Sequence, residues 1–220
     1  VTVSGTNFGQ NGYNARVRMG GTACESTNWV SDSSMICRIS AGVGILKRVT
    51  ATSGVNLGTK TISFTYNSPT LTFVSLGNGP STGSTTISVW GTGLGTFSYS
   101  TMVRVGGTAC ETSVWKSDTS LLCKLSSGIH HTRLTQISAE MQTASHTRMF
   151  SYDLPRLESL VTRHAPTTGS TTITLLGQSF SIWDYTQRLR FGGSACEASL
   201  WTSDSSATCK LTSGVGIDKN

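Results

Sequence analysis

The residues best placed to do chemistry in this chain are six cysteines in three equally spaced pairs. Cys24 and Cys37, Cys110 and Cys123, and Cys196 and Cys209 each enclose twelve residues. Two thiols at that spacing can close a disulfide or supply half of a metal site. A tetrahedral site needs further ligands, and no His recurs beside the pairs. Even, in-register pairing therefore points to one local disulfide per pair. Closing a loop of that length is worth about 3 kcal/mol in the chain-entropy model. Such bonds persist in oxidising compartments, so the expected location is extracellular or at a cell surface.

Other reactive patterns are weaker. Gly79-Pro80-Ser81-Thr82-Gly83 fits G-x-S-x-G, but a nucleophile elbow needs a strand before it, a helix after it, and acid and His partners. Here a strand is expected to follow, so the segment reads as a turn. Gly91, Gly93 and Gly95 also read as a turn, because no helix follows to hold a phosphate. His130-His131 lacks a third ligand nearby. Asp32, Asp118 and Asp204 each sit in a Ser-Asp-Ser/Thr segment, where an aspartate is expected to bond the backbone of its own turn. Glu25, Glu111 and Glu197 are expected to pair with Arg18, Arg104 and Arg190, as surface contacts of small worth. No catalytic residue, metal site or cofactor is expected, and the chain does not read as an enzyme.

These residues are positioned by a repeat. GGTACESTNWVSDSSMIC (20–37) returns as GGTACETSVWKSDTSLLC (106–123) and GGSACEASLWTSDSSATC (192–209). Every cysteine, Trp29/Trp115/Trp201 and the aspartates recur 86 residues on, a period suited to a small domain. About 30% of the residues are Ser or Thr, 24 are Gly and only 13% are charged, which favours short strands and turns over helices. No run of 18 apolar residues occurs, so no membrane span is expected. The net charge of +6 comes from scattered Lys and Arg, which argues against a nucleic-acid partner.

The middle copy can be read strand by strand. Alternation in 70–76 and 86–90 marks two strands. In 101–107, Val103 and Val105 should face inward and Arg104 outward. Segments 114–125 read as a hairpin turning at 117–120. The last two strands are expected over 133–142 and 146–152. About seven short strands with regular turns make an antiparallel, immunoglobulin-like β-sandwich. The fold class expected is all-β, with tandem sandwich domains at 1–66, 67–152 and 153–220.

Pro69, the segment 79–86 (GPSTGSTT), the G-T-x-x-G turn at Gly91, V-x-V-G-G-T-x-C at 103–110 and C-K-L at 123–125 together resemble the IPT/TIG family. The resemblance covers the whole chain, nearly three times over. It implies immunoglobulin-like sandwiches, known from receptor ectodomains such as plexins, long surface proteins and the DNA-binding region of Rel-type transcription factors. The paired cysteines match the extracellular members. The third copy departs at 177–185, where GQSFSIWDY replaces GTGLGTFSY, and Trp183, Asp184 and Tyr185 in this loop are the candidate interaction residues.

Subtracting the period, the first copy lacks counterparts of 67–86 and the third lacks counterparts of 135–152. Each end would expose a sheet edge, a template for strand addition. Linkers of a few residues carrying Pro69 and Pro155 favour a stiff array. The expectation is an extracellular structural repeat protein that assembles head-to-tail with itself into a filament or surface fibre, its end domains completed either by strands of neighbouring chains or by the rest of a longer array of the same domains. The alternative is a receptor or adhesin segment that binds glycans or a surface protein.

Overall fold

The computed structural model describes residues 1–131 and 133–215. Its first repeat contains β1 (Thr2–Ser4), β2 (Arg16–Met19), β3 (Thr22–Ala23), β4 (Ser26–Ser31), β5 (Ser34–Arg38), β6 (Lys47–Ser53) and β7 (Asn56–Phe64). The second adds β8 (Thr70–Val74), β9 (Asn78–Gly79), β10 (Thr86–Thr92), β11 (Met102–Val105), β12 (Thr108–Ala109), β13 (Thr112–Ser117), β14 (Ser120–Lys124), β15 (Arg133–Ala139) and β16 (Gln142–Tyr152). The third holds β17 (Arg156–Leu160), β18 (Thr172–Gln178), β19 (Arg190–Phe191), β20 (Ser194–Ala195), β21 (Ala198–Ser203) and β22 (Ser206–Lys210). Among the described residues no helix is long and apolar enough to cross a membrane.

The second repeat shows the complete sandwich. One sheet has the order β13-β14-β10-β8 and the other β12-β11-β15-β16-β9. Period-2 alternation decides what lies between them. Ile87, Val89, Val103, Leu121, Cys123 and Ile137 are all fully buried, and Val105 is nearly so, while Arg104 on the same strand as Val103 is exposed. All pairings are antiparallel except the short parallel contact of β9 with the end of β16. At the bulge between Trp90 and Gly91 the chain passes so close to β8 that a Cβ on Gly91 would lie 2.0 Å from the Thr70 carbonyl oxygen. Gly177 occupies the same position in the third repeat, 2.1 Å from the Arg156 oxygen by the same measure.

Each cysteine pair is bonded in the structure: Cys24–Cys37, Cys110–Cys123 and Cys196–Cys209, with Cα atoms 5.6–5.8 Å apart. Each bond pins the segment just before a β-hairpin to that hairpin's returning strand. The second cysteine is fully buried in every repeat. Trp29 and Trp115 pack half-buried against the same cores as their disulfides.

Three local expectations are corrected. The last hairpin of the second repeat turns at Glu140–Met141, with Gln142 already in β16. The turn is marked by Glu140 at φ 50° instead of by a glycine, which is why alternation ran through it. Secondly, the recurrent glutamates pair with the residue after the second cysteine: Glu25 with Arg38 at 2.8 Å, Glu111 with Lys124 at 2.7 Å and Glu197 with Lys210 at 2.9 Å. Arg18, Arg104 and Arg190 instead fold back onto the carbonyls of Gly21, Gly107 and Gly193. Thirdly, the recurrent aspartates bond outside their own turns, to the loop that follows the neighbouring strand of the same sheet. Asp32, Asp118 and Asp204 accept the backbone N–H of Gly9, Gly95 and Ser181 at 2.8–2.9 Å. The turn that holds each aspartate is closed by the preceding serine, with Ser31, Ser117 and Ser203 accepting the N–H two residues on.

Among the described residues the flanking repeats keep this plan with fewer strands. In the first, the described β1 is paired with β5, whereas its counterpart β10 is flanked by both β14 and β8. In the third, β19 pairs among the described residues only with β20. Leu189 and Phe191 there are half-buried, where Val103 and Val105 are buried.

Candidate interaction site

The loop after β18 is built from a fixed base and an open tip. At the base, Phe180 is buried, its N–H donates to the Asp204 carbonyl at 2.9 Å, and its own carbonyl accepts from Gln187 Nε2 at 2.9 Å. Ser181 donates its N–H to Asp204 Oδ1 at 2.8 Å, and its carbonyl accepts the Trp201 indole N–H at 3.2 Å. Ser181 stands where the second repeat has Gly95 and keeps the left-handed backbone, with φ 74° against 88°. Asp204 and Trp201 hold the chain in this conformation, which L side chains adopt at a cost.

At the tip, Ile182, Trp183 and Tyr185 are exposed, Trp183 by 62%. Asp184 between them is exposed too, and its Oδ1 accepts the Thr186 N–H at 2.8 Å. That side-chain turn holds the two aromatic residues on either side of it.

Tyr185 also borders the junction with the second repeat. A cavity of about 100 Å³ there is lined by Val105, Ile129, Arg133, Tyr152 and Tyr185 among others. The first junction holds a counterpart of about 230 Å³ lined by Gly42, Tyr66, Thr96 and Asp118 among others. Small-molecule sites span about 300–1,000 Å³, so these clefts suit water better than an organic ligand. The tyrosine ending each repeat donates its hydroxyl back into that repeat: Tyr66 to the Ser40 carbonyl at 3.1 Å and Tyr152 to that of Ser126 at 2.9 Å. Burial pushes the Tyr152 hydroxyl pKa up, with Arg133 opposing and Tyr185 adding to the rise.

A sign follows from that shift. A folded pKa above the unfolded value of about 10 means that the tyrosine's contribution is complete below pH 10 and lost as pH rises through the folded value. The Tyr152→Phe variant is expected to lose about 1 kcal/mol at neutral pH with its hydrogen bond, and to show a shallower loss of stability above pH 10. Denaturant unfolding at a series of pH values checks both.

Ser81, from the G-x-S-x-G segment, lies at this junction too. It is buried, and its Oγ donates to Asp204 Oδ1 of the third repeat at 3.1 Å. The turn around it is closed by the Gly83 N–H on the Pro80 carbonyl. His130 contributes its carbonyl, which accepts the Tyr152 N–H at 3.1 Å. Among the described residues no three His, Cys, Asp or Glu side chains gather as a metal site would require. The junction role of Ser81 was hidden in the sequence, because its contact joins positions 123 residues apart.

Residues 1–68, 69–152 and 155–219 each match the IPT/TIG domain model. The chain belongs to the IPT/TIG family. Its family and three disulfides place it outside the cell or at its surface.

Among solved structures, the extracellular region of plexin A4 is 18% identical, with the match covering 99% of this chain and 20% of that one at a TM-score of 0.39. A surface glycan-binding protein from Prevotella bryantii is 11% identical over 67% of this chain and 36% of its own, at 0.47. The I9–I11 tandem of titin is 12% identical over 93% and 80%, at 0.34. No curated protein matches the chain.

Proposed function

We propose that this chain of three IPT/TIG domains, spanning 1–66, 67–152 and 153–220, is a structural unit of an extracellular filament or surface fibre. We rest the reading on the tandem of three disulfide-stapled sandwiches, together with the strand pairing that the β10 edge of the complete repeat uses. In the second repeat that edge is filled by β8, through Val89–Val74, Trp90–Phe73, Gly91–Leu71 and Thr92–Thr70. A strand from a neighbouring chain beside β1, set as β8 is set beside β10, would join one copy to the next. Strand addition satisfies backbone donors and acceptors along the whole edge. Repeated head-to-tail, it gives an open filament. The disulfides staple each unit, and the linkers carrying Pro69 and Pro155 keep the array extended.

The test is negative-stain electron microscopy of the native, unreduced 220-residue chain over a range of concentrations. Regular fibres that appear with rising concentration, and whose density fills the β1 edge, are the expected result. Rods that remain monomeric at every concentration would sink the proposal.

A second reading rests on the Trp183 loop. An exposed indole on a clamped base suits a receptor or adhesin segment that binds a glycan or a surface protein. It predicts that the Trp183→Ala variant loses binding to cells or glycans while assembling as before.

A further inference from the structure

The first two repeats are joined by more than their linker. The turn between β15 and β16 leaves the second repeat and reaches the first. Gln142, at its end, is 4% exposed. Its Oε1 accepts the Gly44 N–H at 2.9 Å, and its Nε2 donates to the Tyr66 carbonyl at 2.7 Å and to Ser68 Oγ at 3.4 Å. Two residues earlier, the Glu140 carboxylate meets Lys47 Nζ at 2.5 Å. Val43, 3% exposed, completes the contact from the first repeat. A Cβ added to Gly95 would lie 3.0 Å from it.

We propose that this turn is a latch that docks the second domain on the first and fixes the angle between them, with Gln142 as the positioning residue. The chemistry selects an amide. The site presents one backbone donor and one backbone acceptor, and a single side chain must serve both while buried. An amide does so without carrying charge into the joint, and leaving either backbone group unpaired would cost its desolvation. Space at the first domain is also arranged for it. Gly44 has φ 97°, and a Cβ there would fall 1.9 Å from the Glu140 carboxylate. A short linker carrying Pro narrows the hinge without fixing its angle, and relative motion remains the default where no extensive contact joins two domains. The latch makes domains one and two a single rigid body, whether or not the chain builds fibres.

Nuclear magnetic resonance on the full ¹⁵N-labelled chain tests this. In the unaltered protein, residual dipolar couplings from domains one and two should fit one alignment tensor, and the Gly44 amide should exchange slowly. Gln142→Ala should demand two tensors and speed Gly44 exchange by roughly fivefold to tenfold, the size of one net hydrogen bond. Gln142→Glu keeps the shape and an acceptor for Gly44 but cannot donate to Tyr66 when ionised. It should also separate the tensors, with less gain in Gly44 exchange, and it carries the test if the alanine variant does not fold. Two tensors in the unaltered chain, or one tensor and an unchanged Gly44 in the variants, would overturn the latch.

Discussion

Truncating Phe150 to alanine is expected to destabilise the second domain by about 3–5 kcal/mol, the range for deleting a buried aromatic ring. Phe150 is 1% exposed. It meets Tyr152 edge-on with centroids 5.2 Å apart, and β8 of the facing sheet packs across β16. The same substitution at Phe64, its counterpart 86 residues earlier, is expected to cost less than half as much. Phe64 also meets a tyrosine edge-on, Tyr66 at 5.0 Å, but it is only half-buried. The described first domain has no strand in the place of β8. Denaturant unfolding of the two variants checks the contrast. Equal losses would show that the facing strand does not set the worth of this ring.

The second large effect is expected from opening the central disulfide. Replacing Cys110 and Cys123 together by alanine should cost about 3 kcal/mol through loop closure, with a further loss because the Cys123 side chain is fully buried. The midpoint of denaturant unfolding under non-reducing conditions measures it. The bond matters because the loop it closes holds the whole β13–β14 hairpin and the Asp118 anchor for Gly95. A loss below about 1 kcal/mol would mean that the hairpin's own pairing already restrains that loop in the unfolded chain.

How much of this was legible in the sequence depends on range. Burial of Val103 and Val105 with Arg104 outside follows from a period of two within four residues, and it was read correctly. The family was legible for a similar reason, since its motif is contiguous and occurs three times. Glu111 was assigned to Arg104, which is near in sequence, and the structure gives it to Lys124. A signal for that pairing was present: each partner directly follows a cysteine of one bonded pair, so the bond sets them side by side. Asp118 was given to its own turn because Ser-Asp-Thr-Ser is rich in turn formers, while its acceptor oxygen serves Gly95 instead. The Glu140–Met141 turn has no glycine or proline to mark it. Gln142 escaped notice altogether, because its partners Gly44 and Tyr66 lie 98 and 76 residues away and its type carries no motif.

The disulfide spacing also sets how far the array can be stretched. Each bond joins residues 13 apart in sequence, so 13 residues of every domain cannot be paid out when the chain is pulled from its ends. At about 3.3–3.6 Å per extended residue, that withholds roughly 45 Å of contour length from each unfolded domain. Across the three domains the oxidised chain would stop short of the reduced one by roughly 130 Å. The redox state of six cysteines thus governs the ultimate reach of the molecule under tension, as well as the stability of each unit at rest.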